Sequence, residues 1–310
     1  MLLIPLHAHA ELGKRPLVTM IVCVICVLVF FAQYVSRDRH DARCSQFIKT
    51  LSAEDKQIVD LLIDGNEYSG CYLFERVSAY GGQSFPPAEF RHAEPDIAQI
   101  LKSIDVSEQV LWDKLLLMTE KHDKAGISSL DDTLSYHYSS WNIFQMISSI
   151  FAHANFEHIF FNLVFFWAFG CAVEMLIGSR WMIILIIAAA IFESVIFNYA
   201  YQRGFANTTL GLSGVCMCMM GVLFAIYPKA RIKTFFWFLN VVRVVPIPAY
   251  WFAIWYVGWD IYDARHMAPD DNTNHSAHLS GAFVGAVFGL FYRLNLTDRE
   301  AREKPVDFYD

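Results

Sequence analysis

The chain has 310 residues, of which 55% are hydrophobic and only 18% charged, with a formal net charge of −7. That balance is too apolar for an ordinary soluble domain, and no basic cluster is dense enough to suit nucleic acid. Residues 36–140 hold 11 Lys/Arg and 18 Asp/Glu, the whole net charge, so the rest is neutral overall and reads as membrane helices around one acidic, water-facing block.

In chain order, residues 1–15 read as a cytoplasmic tail and Pro16–Val35 as a first span of 20 residues without a charge. Its end, "VFFAQYV", is bulky where a cleaved leader would carry small residues, so the segment reads as a retained anchor. Residues 36–140 then form a soluble insertion rich in helix. "SAEDKQIVDLLIDG" opens with Ser52 and Asp55 at the spacing of an N-terminal cap, and "EPDIAQILKSI" and "SEQVLWDKLLLMTEKHDK" have helical periodicity. "SAYGGQSFPPAEF" between them is a loop, and His92, His122 and His137 read as solvated surface residues.

Cys44 and Cys71 are the two of the seven cysteines in this block. An oxidising compartment would let them pair, but spacing alone does not choose between a disulfide and two free thiols. No Cys/His spacing suits a zinc site, and no metal or cofactor is expected.

Five further apolar segments follow, at about 156–175, 181–201, 206–227, 247–262 and 276–292, which with the first makes six spans. Short-loop positive charge sets orientation. Lys14, Arg15, Arg180, Lys229, Arg231, Lys233, Arg243 and Arg293 fall on one side, so both termini are expected in the cytoplasm and residues 36–140 outside. Residues 294–310 are the second cytoplasmic tail.

Polar groups inside spans are costly and need a reason. His158 and Asn162 lie one helical turn apart at the start of the second span, Ser213 at the start of the fourth, and His278 at the start of the sixth. All three of these spans begin on the outside, so the four residues share one depth. Gly281, Gly285 and Gly289 repeat every four residues, a seam that lets membrane helices pack closely, and His278 lies one turn before it. On the fourth span Ser213, Met217 and Gly221 form the facing line. A histidine beside a serine is a base beside a nucleophile, and His158, Asn162 and a backbone N–H at Ser213 are suitable donors for an oxyanion. The pattern therefore points to acyl transfer, most simply peptide hydrolysis. Glu174 and Glu193 read as structural carboxylates, Glu174 near a helix end beside Arg180 and Glu193 facing the interior.

Three segments, "HANFEHIFFN" at 153–162, "GLSG" at 211–214 and "AHLSG" at 277–281, with "EMLIGS" at 174–179, resemble the rhomboid family of intramembrane serine proteases. The resemblance implies an all-α polytopic membrane protein, a six-helix bundle whose core is residues 141–293 plus the first span. It implies a Ser213–His278 dyad with no third carboxylate, and an oxyanion site at His158 and Asn162. His153 supports that site, and Gly211 and Gly214 give backbone and nucleophile close approach. Substrates would be single-span membrane proteins cut near the outer end of their helix, and the expected membrane is a bacterial inner membrane. The alternative is a catalytically silent relative that binds client helices. This chain has Trp141-Asn142 where many members have Trp-Arg, and Met217 where many have an aromatic.

Overall fold

A computed structural model of the chain describes residues 2–7, 15–63, 70–79, 107–138, 140–200, 208–238, 241–266 and 273–295. The described chain divides into two units, one of Met1–Phe30, Ser139–Ala200 and Thr209–Asp310, the other of Phe31–Tyr138 and Tyr201–Thr208.

The first helix, α1, runs unbroken over Leu17–Thr50, so the helix that begins as the apolar anchor continues well past Val35 into charged sequence. Thr19, Val22 and Cys26 are buried at spacings of three and four, while Leu17, Leu28 and Phe31 are exposed. An inward stripe on a helix whose outside is equally apolar is what a lipid solvent allows.

The second unit packs around Cys44, Ile58, Val59, Phe74, Leu111, Trp112 and Leu115. Its helices are α2 (Ala53–Ile63), α3 (Gly70–Ala79), α4 (Glu108–Lys124) and the short α5 (Leu130–Leu134). Ser52 Oγ accepts from Asp55 N at 3.1 Å and so caps α2, and Ser107 caps α4. Cys44 and Cys71 are joined by a disulfide, with Cα atoms 5.6 Å apart. His122 departs from the surface expectation: it is only 2% exposed, and its ring packs against Phe47 and Phe74. The "EPDIAQILKSI" segment and His92 lie outside the described residues.

In the first unit, the short α6 (Ile143–Ser148) is followed by α7 (Phe156–Ile177) and α8 (Ser179–Ala200). After these come α9 (Ser213–Ile226), α10 (Ala249–His266) and α11 (His275–Leu294). Among the described residues, four helices are long and apolar enough to cross a membrane: α1, α7, α8 and α11. At 1.5 Å per residue, the 14 residues of α9 reach about 21 Å, less than the roughly 30 Å of hydrocarbon. Every residue of α9 from Gly214 to Leu223 is buried, which makes it the central helix.

The α9–α11 contact is backbone on backbone. A Cβ added at Gly281 would lie 2.1 Å from Gly214 O, one at Gly285 1.9 Å from Cys218 O, and one at Gly289 2.9 Å from Val222 O. Both partners advance by four residues, so the two helices run parallel. The expected line on α9, Ser213–Met217–Gly221, is therefore one residue out. The closest carbonyls belong to Gly214, Cys218 and Val222, although Gly221 also abuts Ala282 O.

Glu174 is a cap rather than a partner of Arg180. Its carboxylate accepts from Val18 N at 2.9 Å, Thr19 N at 2.8 Å, Thr19 Oγ1 at 2.8 Å and Ser179 Oγ at 2.7 Å. It thus satisfies the first-turn donors of α1, which have no partner within their own helix.

An all-helical chain was expected, but the described residues also hold an antiparallel sheet. Leu2–His7 pairs with Arg231–Phe238, which pairs in turn with Val241–Pro248. The N-terminal segment and the basic stretch after α9 are thus strands. Val241, Val242, Val244 and Val245 are β-branched, and Ile232 and Thr234 are buried at alternate positions. Pro246 and Pro248 lie on the edge strand, where a missing N–H is tolerated.

Candidate active site

The start of α7 is built by local capping. Asn155 Oδ1 accepts from His158 N at 2.8 Å, which sets His158 in the first turn with Asn162 one turn further along. Upstream, Asn142 Oδ1 accepts from Phe144 N at 3.0 Å and caps α6, which gives the asparagine that follows Trp141 a physical role of its own.

Gly211 is where α7 meets the entry to α9. Its φ is +119°, a region that side-chain-bearing residues avoid, and its N–H donates to Ser149 O at 2.9 Å. A Cβ there would lie 2.6 Å from His158 Nε2 and 3.6 Å from Asn162 Nδ2. The two donor side chains therefore converge on the residue two before Ser213. Asn162 is 7% exposed, and its Nδ2 has no hydrogen-bond partner among the described residues. A buried amide donor left unpaired is a cost to the resting fold and an available group for a developing anion. Cys216 Sγ lies 3.5 Å from Asn162 O, binding α7 to the first turn of α9.

Ser213 opens α9, where the first N–H groups have no intrahelical acceptor and the helix dipole favours negative charge. The parallel register sets Gly281 against Gly214. His278, one turn before Gly281, is thereby at the level of the α9 entry. Asn274 holds that end: its Oδ1 accepts from Ala277 N at 3.0 Å and its Nδ2 donates to Thr209 Oγ1 at 2.8 Å. Glu193 is buried against Gly214, since a Cβ on that glycine would overlap its Oε2. Met217 is buried on α9.

His153 is buried, with its ring 5.1 Å from that of His158 and edge-on to it. Burial, with a smaller contribution from His158 charge, pushes its pKa down to about 4, so the ring is neutral at pH 7.

Sequence reasoning missed Asp260 and His275. Asp260 is on α10, 7% exposed, and its Oδ1 accepts from His278 Nδ1 at 3.0 Å and from His275 Nδ1 at 2.7 Å. A carboxylate thus sits on Nδ1 of the candidate base, where the resemblance implied none. An acid inside the apolar segment 247–262 was the available signal, but with Asp263 and Arg265 just beyond it Asp260 passed as part of the segment's polar end.

These features define a helical membrane protein with a serine at a helix N-terminus, a histidine on the helix packed against it, and a buried amide donor, Asn162 Nδ2, with no partner among the described residues. Residues 140–295 match the Rhomboid domain, half of the chain, and the protein belongs to the rhomboid family. It is 27% identical over 166 residues to "RHOMBOID-like protein 12, mitochondrial" of Arabidopsis thaliana, covering 49% of this chain and 47% of that protein. It is 24% identical over 246 residues to "Rhomboid protein 1, mitochondrial" of Saccharomyces cerevisiae, covering 74% and 61%. With "Rhomboid protease GlpG" of Salmonella choleraesuis it shares 27% over 160 residues, covering 51% and 52%. The chain thus spans about half to three-fifths of the length of these curated relatives.

Proposed function

We propose that the chain is an intramembrane serine endopeptidase. His278 takes the Ser213 Oγ proton as the oxygen attacks a substrate carbonyl, and the oxyanion is received by Asn162 Nδ2, His158 and N–H groups at the start of α9. The observation that carries this reading is the glycine contact of Gly281 on the Gly214 carbonyl, which brings the Ser213 and His278 ends of two parallel helices to backbone distance. The unpaired Asn162 amide supports it.

The substrates are single-span membrane proteins. Because α9 is shorter than the hydrocarbon is thick, a serine at its N-terminus lies inside that thickness, and a substrate helix must unwind to reach it. On this reading α9 and α10 complete a six-span core, both termini are cytoplasmic, and the site opens to the outside of a bacterial inner membrane. On the same reading residues 36–140 select substrates or gate their approach. The mitochondrial names of two relatives make a mitochondrial membrane the other setting to test.

The test is labelling of purified protein with a fluorescent phosphonate that reacts with activated serines, comparing wild type with S213A and H278A. Labelling of wild type alone is expected, followed by cleavage of a single-span reporter in proteoliposomes. A folded wild type that neither labels nor cleaves would favour the client-binding alternative.

A further inference from the structure

We infer that Asp260 is a positioning residue for His278, so that the site is a Ser213–His278–Asp260 triad braced by His275. The inference rests on the protease reading above.

A carboxylate has no proton to give and can only accept. With Asp260 Oδ1 at 3.0 Å, the His278 ring carries its proton on Nδ1, and Nε2 keeps the lone pair that a base needs. The hydrogen bond also fixes the ring plane, because the acceptor is on a different helix from the donor. His275 donates to the same oxygen at 2.7 Å from the first turn of α11. The two rings are near perpendicular, at 86°, with centroids 6.3 Å apart, so they reach the oxygen from different sides. A buried carboxylate needs donors to remain charged, and His275 supplies the one that stays in place throughout.

The charge balance favours the reaction. At rest, one carboxylate and two neutral rings sum to minus one. On attack, the Ser213 Oγ–H bond breaks, an Nε2–H bond forms on His278, and Oγ bonds to the substrate carbonyl carbon. The cluster becomes neutral while the carbonyl oxygen takes the negative charge. Asp260 receives no proton; it stabilises the imidazolium and holds it in place.

The experiment measures phosphonate labelling rate, and kcat and KM for a cleaved single-span reporter, in wild type, D260N, D260E and H275N, each checked for folding by its thermal transition. D260N keeps the shape and removes the charge. It is expected to lower kcat by about 10²–10⁴-fold with KM within threefold of wild type. D260E, which restores the charge, is expected to recover at least tenfold of that loss. H275N, which leaves Asp260 on His278, is expected to fall by about tenfold. D260N labelling at the wild-type rate, or a folded fraction of D260N or H275N with wild-type kcat, would overturn the inference, as would failure of both Asp260 variants to fold.

The failures are separable. An unlabelled wild type sinks the protease reading and this inference with it, whereas a labelled wild type with an equally fast D260N sinks this one alone. Aspartate and imidazole also suit divalent cations, and the three ligand atoms lie within 4.8 Å of one another. Labelling is therefore repeated after EDTA dialysis: an unchanged rate supports the triad, and loss that added Zn²⁺ restores would overturn it.

Discussion

Adding one methyl group at Gly281 should separate chemistry from folding. In G281A the new Cβ would start 2.1 Å from the Gly214 carbonyl oxygen, where ordinary contact begins at 3.4 Å. The obstructing atom is backbone at the start of a buried helix, so no side chain can rotate aside. The helices must part by about 1.3 Å at this level, by subtraction of contact distances. Overpacking of this kind costs about 1–3 kcal/mol, partly offset by about 1 kcal/mol of helix propensity gained over glycine. Stability should therefore drop by at most about 2 kcal/mol. The rate should suffer more, because a 1 Å misplacement at a reacting centre costs roughly 10²-fold.

Two other glycines serve as controls. In G289A the contacts are 2.8 Å to Ala225 Cβ and 2.9 Å to Val222 O, a smaller intrusion two turns further from His278. In G258A nothing lies within 4 Å. Phosphonate labelling per folded molecule should rank G281A far below G289A, with G258A equal to wild type. Wild-type labelling by G281A would refute the claim that this contact sets the distance between nucleophile and base.

Removing the unpaired donor in N162A should lower kcat by about 10²–10³-fold with little change in the thermal midpoint, since Nδ2 gives up no existing bond; a loss under fivefold in reporter cleavage would refute its oxyanion role. Reduction, or the C44A/C71A pair, should destabilise the Phe31–Tyr138 unit by about 3.5 kcal/mol, the loop-entropy value for a separation of 27 residues, read as faster proteolysis there. Ser213 labelling should meanwhile stay within twofold. His153 makes stability depend on pH. Its folded pKa of about 4 is below the ordinary 6.5, so the unfolded chain binds the proton more tightly. The contribution is full above pH 6.5 and is lost as pH falls from there towards 4, about 3 kcal/mol across the window. The difference in thermal midpoint between wild type and H153Q should shrink over that range, and a constant difference would count against a buried neutral ring.

The parts that could be read in advance were those whose physics is local. A run of apolar residues has a length, and length sets a helix against a bilayer, so the anchor, α7, α8 and α11 were legible from composition. The four-residue glycine repeat announced a close helix contact for the same reason. Which residues it meets is not local. Ser213–Met217–Gly221 and Gly214–Cys218–Val222 are equally good lines on α9, and only the rotation of the packed helix selects the second. Cys44 and Cys71 had a compartment but no distance until α1 and α3 were packed in one core.

The sheet was hidden by charge. Arg231 and Lys233 read as a basic loop, because period-two alternation over "RIKT" is too short to outweigh them, and the Leu2–His7 partner is far away in sequence.

Asp260 was hidden differently. Two acids and a basic residue near the end of an apolar run look like a helix leaving the membrane, and for Asp263 and Arg265 that reading stands unopposed. What distinguishes Asp260 is 7% exposure and two imidazole donors arriving from α11, 15 and 18 residues later. A buried acid is retained where partners offset its desolvation, and partners on another helix leave no trace in local spacing. The residue hardest to read in the sequence is thus the one with which the structure adds most to the dyad inferred from Ser213 and His278.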